Sequence, residues 1–276
     1  FKKESWEFDM TARRIISCLS NHQLTYDDND KEYRSIFDHM IQKQTNHLLN
    51  EIKNSKDLEN KIIGCTAIIL TGLCYKINKN YLEIGLSFLK KITVSSIDNQ
   101  GFTRSRNIKQ LIFFLKYFVL IREWFKEAQV EVPDHIEENI YYFGQGYAFI
   151  RQNIATDLLF NGNNKSNTYD LDNYLKRLGY KFKNENKDYG GYIILKNKKI
   201  CLAMDAGSSP NSKYTHDYQS GALSFEIISN GKKLITNCGY YKKNNQTLNE
   251  ISKSSAVHST LIIDDNSSCK FTKKRD

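Results

Sequence analysis

The sequence predicts an α+β multidomain fold in which a helical part over residues 1–155 precedes an antiparallel β part over residues 156–276. Apolar residues recur at helical spacing up to about Gln152. Beyond that point the chain changes to turns rich in Gly and Asn between runs with β character. Helices and strands that are segregated along the chain are typical of α+β architectures, and 276 residues are enough for two modest cores.

Six segments of the helical part show helical periodicity. Pro133 and Asp134 begin the last one, since proline suits a first helical turn and an acidic group its positive end. Short joints between the segments predict a helical layer. The segments are SWEFDMTARRIISCL, KEYRSIFDHMIQKQTNHLLNEI, LENKIIGCTAIILTGLCYKI, YLEIGLSFLKKI, NIKQLIFFLKYFVLIREWFKEA and PDHIEENIYYFGQGYAFIRQN.

The β part contains two predicted hairpins and one further predicted strand. GGYIILKNKKICLAMDAG is the first hairpin, and HSTLIIDD is the further strand. In the second hairpin, LSFEIISNGKKLITNCG, Asn230 and Gly231 lie between alternating strands, which is the strongest short hairpin signal. A two-residue turn there predicts the pairs Ser229–Lys232, Glu226–Ile235, Phe225–Thr236 and Ser224–Asn237.

Alternation of side chains then divides this second hairpin into two faces. One face is apolar and is expected to be the core side; the other is polar and is either solvated or part of a functional site. The expected core face consists of Leu223, Phe225, Ile227, Leu234 and Cys238. The polar face consists of Ser224, Glu226 and Asn237.

Composition excludes some classes of function. The formal charge of +9 favours acidic partners such as nucleic acid or acidic polysaccharide. No nucleic-acid recognition motif is present, so nucleic acid is not expected as a partner. The longest apolar run, LIFFLKYFVLI, is interrupted by Lys116 and is too short for a membrane span. Six scattered cysteines without a C-x-x-C pair are expected to be small buried hydrophobes.

Generic catalytic motifs are absent, and the β part instead offers polar residues at wide spacing. His216, Asn237 and His258 follow one another at intervals of 21 residues, at positions where a strand end, a hairpin return and the next strand could meet. The chain begins within a helical pattern and ends just after a predicted strand, which indicates a fragment. The absence of a signal peptide therefore leaves the compartment unassigned.

Several segments taken together resemble a known family. THDYQSGALSFE, NCG and AVHSTL are similar to the β-rich C-terminal region of bacterial heparinase II/III-like proteins, which are related to polysaccharide lyases for heparin, heparan sulfate and alginate. The helical part resembles the same family's incomplete (α/α) toroid. The resemblance implies a toroid followed by an antiparallel β-sandwich that is truncated at the C-terminus, an acidic polysaccharide as substrate, and a location in the periplasm or cell envelope.

Lyases of this kind cleave chains that contain uronic acid by β-elimination, in a cleft between the toroid and the β-sandwich. The reaction needs a group that neutralises the uronate carboxylate, a base for the C5 proton and an acid for the leaving O4. By the resemblance, His216 matches a catalytic or cleft histidine. The neutraliser is either Asn46 with His47, by its chemistry, or Asn60, by its position in the family pattern.

The resemblance also leaves gaps. The family's tyrosine after the turn at Gly101 is missing; Arg104 and Arg106 stand there and are expected to bind carboxylate or sulfate, with Glu226 also in the substrate-binding set. His258 matches a zinc-binding histidine, but Asn237 replaces the acidic ligand and is a poor zinc ligand, so no firmly bound zinc is expected. The alternative function is a non-catalytic polysaccharide-binding or envelope protein.

Overall fold

The computed structural model is α+β, with helices first and one antiparallel sheet after them, which confirms the predicted fold class. None of the described helices is long and apolar enough to cross a membrane. The structure describes residues 6–75, 80–151, 154, 156–164, 169–241, 245–269 and 271.

All six predicted helices form, and the described residues of the β part contain two further short α-helices. Asp57 caps the third helix, because its carboxylate accepts hydrogen bonds from the backbone N–H of Glu59 (2.8 Å) and Asn60 (3.3 Å). The helices are α1 (Phe8–Ser20), α2 (Lys31–Glu51), α3 (Leu58–Cys74), α4 (Tyr81–Ser96), α5 (Ile108–Glu127), α6 (Asp134–Arg151), α7 (Tyr169–Arg177) and α8 (Gln246–Lys253).

The chain forms two compact units. Unit 1 contains the residues up to Ser95 together with Lys116–Ile140, and unit 2 contains Ser96–Leu115 together with the residues from Tyr141 onward. The predicted domain boundary after residue 155 stays a prediction, and residue 155 itself lies outside the described residues.

Unit 1 is built around α3, which packs against α1 and α2. Every residue of α3 from Ile62 to Leu73 is buried, as expected for a helix that is apolar on all sides. Gly72 lies directly against the backbone of Leu82 at the start of α4, so a side chain at this position would collide with main-chain atoms. The sequence ILTGL therefore sets how closely α3 and α4 approach.

Unit 2 contains a five-stranded antiparallel sheet whose strands follow one another in sequence order. The first hairpin is confirmed, with Tyr192 opposite Asp205 and Leu195 opposite Leu202. The strands are β1 (Asp188–Tyr189), β2 (Tyr192–Lys196), β3 (Ile200–Asp205), β4 (Phe225–Ser229) and β5 (Lys232–Ile235). The described residues contain this one sheet, so the second layer of a sandwich stays a prediction.

The register of the second hairpin is correct at its turn and wrong beyond it. Ser229 lies opposite Lys232 as predicted, but a β-bulge between Ile227 and Ile228 places Ile227 opposite Ile235. The predicted pair of Glu226 with Ile235 is therefore wrong, and so are the pairs predicted further from the turn. An additional residue in one strand shifts all later pairs, and no turn residue indicates it.

The predicted core face of this hairpin is also wrong. Glu226 is fully buried and Asn237 is 2% exposed, whereas Leu223 and Leu234 are 53% and 68% exposed. The face that carries Glu226 and Ile228 packs inward, and its polar groups are paired there rather than solvated. Alternation along the strands was predicted correctly, but the side that faces the core was not.

HSTLIIDD is not a strand. Within this segment the structure has only an isolated bridge between Ile263 and Asn266, after a turn of 3₁₀-helix at Ser255–Val257. The backbone N–H of Phe225 still donates to the carbonyl of Ser259 (3.1 Å), so the segment runs beside the start of β4 without forming a ladder.

Arg106 and Asp205 form a buried ion pair in unit 2. The guanidinium also donates to the carbonyls of Gly191 (2.8 Å) and Ser208 (3.1 Å) and lies 4.9 Å from the ring centre of Tyr192. Because a Cβ at Gly191 would lie 2.8 Å from the guanidinium, this glycine leaves the space that Arg106 occupies.

Asn161 completes the surroundings of Asp205. Its amide donates to the second carboxylate oxygen of Asp205 (2.7 Å) and to the hydroxyl of Tyr192 (2.8 Å). Burial raises the pKa of Asp205, and the adjacent Arg106 and Asn161 oppose that shift. The Asp205 carboxylate thus joins three segments: the turn before α5, the loop at Asn161 and the end of β3.

Asp205→Ala is expected to lower the free energy of unfolding by about 3–5 kcal/mol, because it leaves the Arg106 charge buried without a counterion. Urea unfolding followed by circular dichroism measures the change. Lys126→Ala, which removes an exposed ion pair to Glu123, is the matched control and should cost less than about 1 kcal/mol. Equal effects of the two variants would contradict the structural importance of the buried pair.

Ile228→Ala is expected to cost about 2–5 kcal/mol, because it leaves a cavity beneath β4. Leu234→Ala should cost less than about 0.5 kcal/mol, because the Leu234 side chain is mostly in solvent. The same unfolding measurement compares the two variants. A larger loss of stability in Leu234→Ala than in Ile228→Ala would instead support the apolar core face that the sequence predicts.

Candidate functional site

The predicted catalytic residue His216 lies on the loop between β3 and β4, with 82% of its side chain exposed. Its Nδ1 lies 2.6 Å from a carboxylate oxygen of Asp217. A carboxylate can only accept when ionised, so this contact places the proton of the neutral ring on Nδ1. Proton exchange with a ligand would then take place at Nε2.

Asp217 connects His216 to a cluster of polar side chains in unit 2. Its second carboxylate oxygen accepts a hydrogen bond from Asn107 Nδ2 (3.4 Å), and its charge acts on Tyr240 and Lys253. We call His216, Asp217, Asn107, Tyr240 and Lys253 the His216 cluster. It combines an imidazole, a carboxylate, a phenol and an ammonium group.

Tyr240 and Lys253 are less exposed than His216 and have shifted pKa values. Burial raises the pKa of Tyr240 to about 12, and the charge of Asp217 adds to the shift. Burial lowers the pKa of Lys253, while Asp217 opposes that change. Lys253 Nζ donates to the backbone carbonyl of His216 (3.0 Å) and lies 5.6 Å from the ring centre of Tyr240. Lys253 therefore holds the loop that carries His216.

Arg104 lies in the turn before α5, and this turn is held together by Asp98. The Asp98 carboxylate accepts from the backbone N–H of Gln100 (2.9 Å) and Phe102 (2.8 Å), and Gly101 has a positive φ of 81°. Arg104 is exposed, and its Nε donates to the carbonyl of Ile97 (2.8 Å). Its position is compatible with the predicted contact to an anionic ligand.

Two of the predicted substrate-binding residues, Arg106 and Glu226, bind other groups of the protein through their side chains. Arg106 forms the buried pair with Asp205. Both carboxylate oxygens of Glu226 accept from Lys233 Nζ (3.0 and 2.9 Å), and one of them also accepts from the backbone N–H of Asn237 (2.9 Å). Because both side chains are buried and paired, neither is retained in the proposed substrate-binding set.

Asn237 and His258 lie in neighbouring backbone segments, as the resemblance implies. Asn237 Oδ1 accepts from the backbone N–H of Ser259 (2.9 Å), and the backbone N–H of Cys238 donates to the carbonyl of Val257 (3.3 Å). Burial lowers the pKa of His258, and a hydrogen bond to the Ser252 backbone opposes the shift. Among the described residues, no three His, Cys, Asp or Glu side chains are grouped so that they could hold a metal ion.

The predicted carboxylate neutralisers of the helical part lie in unit 1. Tyr81 donates its hydroxyl proton to Asn46 Oδ1 (3.0 Å), and His47 Nε2 lies 2.9 Å from the carbonyl oxygen of Trp6. Asn60 lies in the first turn of α3, where its backbone N–H is bound by the capping residue Asp57. Both alternatives, Asn46 with His47 and Asn60, stay predictions.

Unit 1 also contains a pocket of about 630 Å³, open to solvent, near the ends of α1, α3 and α5. Its wall includes Leu73, Trp124, His22 and Glu127. The predicted residues Asn46, His47 and Asn60 do not line it. The volume of a cavity alone therefore does not identify the chemistry of this protein.

Sequence reasoning did not find Asp217, Tyr240 and Lys253. A signal for two of them was present, since Asp217 follows His216 directly in THDY and Tyr240 follows the NCG segment. Lys253 belongs to α8, a helix that was not predicted. Its position beside His216 depends on a contact between residues 37 positions apart.

The C-terminal part of the chain is similar to a known protein family. Residues 184–276 match the family model described as Heparinase II/III-like, C-terminal. This region includes His216, Asp217, Tyr240, Lys253 and His258. The predicted resemblance to the heparinase II/III-like family is thereby confirmed. No curated protein matches the chain.

Solved structures show the same fold over almost the whole chain. The chain matches a structure titled Crystal Structure of Heparinase III with a TM-score of 0.77 at 14% identity, covering 95% of this chain and 48% of that one. Heparinase III, the BT4657 gene product, matches with a TM-score of 0.76 at 15% identity over 95% of this chain and 45% of that one. A mutant of the heparan sulfate lyase HepC from Pedobacter heparinus matches with a TM-score of 0.76 at 13% identity, over 95% and 46%.

These likenesses establish the fold, which is that of heparinase III structures. The chain spans slightly less than half the length of the structures it matches. At 13–15% identity, the activity of those proteins comes to this chain only as a proposal.

Asp217→Ala is expected to change the tautomer of His216, because it removes the acceptor that holds the proton on Nδ1. The ¹⁵N chemical shifts of the two ring nitrogens at a pH where the ring is neutral measure the change. Asp188→Ala, at an exposed residue of β1, is the control and should leave the shifts unaltered. Identical His216 shifts in wild type and Asp217→Ala would contradict the assignment of the proton.

Proposed function

We propose that the protein acts on an acidic polysaccharide containing uronic acid and cleaves it by β-elimination. The observation that carries this proposal is the exposed His216 with Nδ1 held by Asp217, in a region that matches the heparinase II/III-like family. The structures with the same fold include heparinase III and a heparan sulfate lyase, whose names give the substrate class. The net charge of +9 supports attraction of a polyanion.

In the proposed reaction a base removes the C5 proton, the electron pair forms the C4=C5 double bond, the bond from C4 to O4 breaks, and an acid protonates the leaving O4. His216 is the candidate for proton transfer, because its ring is exposed and its tautomer is fixed by Asp217. Arg104 is the candidate for binding carboxylate or sulfate, since it is exposed and its guanidinium can form paired hydrogen bonds with such groups.

The group that neutralises the uronate carboxylate is the remaining requirement of the proposed reaction. Asn46 with His47, or alternatively Asn60, is proposed for this task. Stabilising charge that develops next to the breaking C–H bond is usually the largest catalytic contribution, so loss of this group should reduce the rate most strongly.

The second candidate function is binding of acidic polysaccharide without cleavage. It is favoured by the absence of a tyrosine after the Gly101 turn: residues 102–107 read FTRSRN, and Tyr117 is the next tyrosine. Tyr240, the phenol of the His216 cluster, is 6% exposed, which limits its contact with a polymer. In this function Arg104 would bind the glycan and His216 would take part in hydrogen bonding.

Incubation of the chain with heparin, heparan sulfate and alginate tests the proposal, because elimination leaves an unsaturated uronate that absorbs in the ultraviolet. We expect absorbance to rise with at least one polymer. His216→Ala should lower the rate by about 10²-fold or more. His39→Ala, at an exposed histidine of α2, should retain the wild-type rate.

Binding measurements on the same polymers separate the two candidate functions. Binding without a rise in absorbance would reject elimination and support the binding function, and the absence of both would reject both functions. Arg104→Ala should weaken binding by about tenfold, since hydrogen bonds to charged groups contribute about 1.5–3 kcal/mol. Lys109→Ala removes the same charge from an exposed position nearby and should weaken binding less.

A further inference from the structure

The position that corresponds to a family zinc site is built from amides in this chain. Asn237 Oδ1 already accepts from the backbone N–H of Ser259, and a flipped amide would place two N–H groups against each other. Asn237 therefore directs its Nδ2, a donor, away from Ser259. Asn237 is 2% exposed, and its Nδ2 has no hydrogen-bond partner among the described residues.

Gln219 is the second amide at this position. Its Nε2 donates to the carbonyls of Ser252 (2.6 Å) and Gly239 (3.2 Å), and its Oε1 accepts from the backbone N–H of Gly162 (3.1 Å). Gly239 lies two residues after Asn237. Gln219 thus uses both of its donors and its acceptor in contacts to the backbone, and it is 1% exposed.

His258 lies beside both amides. The residue that follows it, Ser259, donates its backbone N–H to Asn237 Oδ1 (2.9 Å), and a Cβ at Gly221, two residues after Gln219, would lie 3.5 Å from the His258 ring. His258 Nε2 is buried and has no hydrogen-bond partner in the described part of the chain. We call Gln219, Asn237 and His258 the amide junction. Gln219 connects it to the end of α8 through the carbonyl of Ser252.

The amide junction does not fit a zinc ion. Zinc sites use imidazole, thiolate or carboxylate ligands, and the junction offers two such side chains, His258 and Cys238, whose Sγ contacts the carbonyls of Gly239 (2.9 Å) and Ser252 (3.9 Å). Among the described residues, no three side chains of these kinds are grouped together. The amide oxygens of Gln219 and Asn237 are both occupied by backbone N–H groups. The Glu226 carboxylate, which accepts from the backbone N–H of Asn237, is neutralised by Lys233, which contacts both of its oxygens.

We propose that this protein closes the junction with hydrogen bonds and bound water in place of a metal ion. Asn237 Nδ2 is a donor, and His258 Nε2 accepts or donates according to its tautomer, so both atoms suit buried water, which can accept as well as donate. Four segments are joined in this way: the loop before β4, the segment after β5, the end of α8 and the turn that follows it. The protein folds independently of metal.

Metal analysis of the purified chain tests the proposal with a readout that does not depend on lyase activity. After growth with added zinc and extensive dialysis, wild type should contain less than about 0.1 zinc per chain, and EDTA should leave its melting temperature unchanged. About one zinc per chain in wild type that is lost in His258→Gln would overturn the proposal. Zinc that is lost in Cys238→Ser would likewise overturn it, because the Cys238 sulfur lies at the junction. Zinc that persists in both variants would come from elsewhere and leaves the junction metal-free as proposed.

A double variant tests whether the three positions form one site. Gln219→His with Asn237→Asp adds one imidazole and one carboxylate to the imidazole of His258, and we expect this variant to bind about one zinc per chain with a melting temperature that zinc raises. Adding His258→Gln to this variant should abolish the gain. A folded double variant that takes up no zinc would overturn the assignment of the junction.

A crystal structure of wild type provides a second, direct test that remains if the double variant does not fold. A bound water would lie about 2.7–3.2 Å from His258 Nε2, whereas zinc would lie at about 2.0–2.1 Å and scatter anomalously at its absorption edge. Density at the zinc distance with an anomalous peak would overturn the proposal.

Discussion

The buried pair of Arg106 and Asp205 is the interaction on which the arrangement of unit 2 depends. A charge removed from water is costly unless its partner and its remaining hydrogen-bond positions are satisfied, and here both conditions are met. Arg106 donates to the carbonyl of Gly191, just before β2, and to the carbonyl of Ser208, after β3. Asp205, at the end of β3, accepts a hydrogen bond from the side-chain amide of Asn161. The turn that carries Arg104 is therefore tied to the strands that precede the His216 loop.

A second buried carboxylate, Glu226, organises the hairpin of β4 and β5 in a similar manner. The bulge between Ile227 and Ile228 lets Thr236 and the backbone of Asn237 turn toward this carboxylate. Lys233 supplies the opposite charge. The polar face of the hairpin is consequently an internal hydrogen-bonded layer, and the amide junction continues it toward α8.

The networks around Asp205 and Glu226 contain residues that the sequence predicts to bind a ligand but that the fold buries. Other predicted residues are accessible to a ligand. Arg106 has the positive charge expected of a site for an acidic polysaccharide, and Glu226 is a polar group on the same part of the fold, but both are buried and act within the fold. Arg104 has the same charge as Arg106, His216 is also polar, and both are exposed. The sequence contains both pairs with equal prominence, because residue type reports chemistry and not burial.

The sequence by itself determined the order of the elements, the six helices, both hairpins with the turn at Asn230 and Gly231, and the family resemblance. Helical periodicity and Asn-Gly turns are local properties, so they can be read without knowledge of distant contacts. Tertiary structure alone decided which hairpin face is buried, because a single bulge and the pairing of Glu226 with Lys233 made a polar face suitable for the interior. It also decided that Lys253 meets His216 and that Gln219, Asn237 and His258 share one junction, since these contacts join residues far apart in the chain.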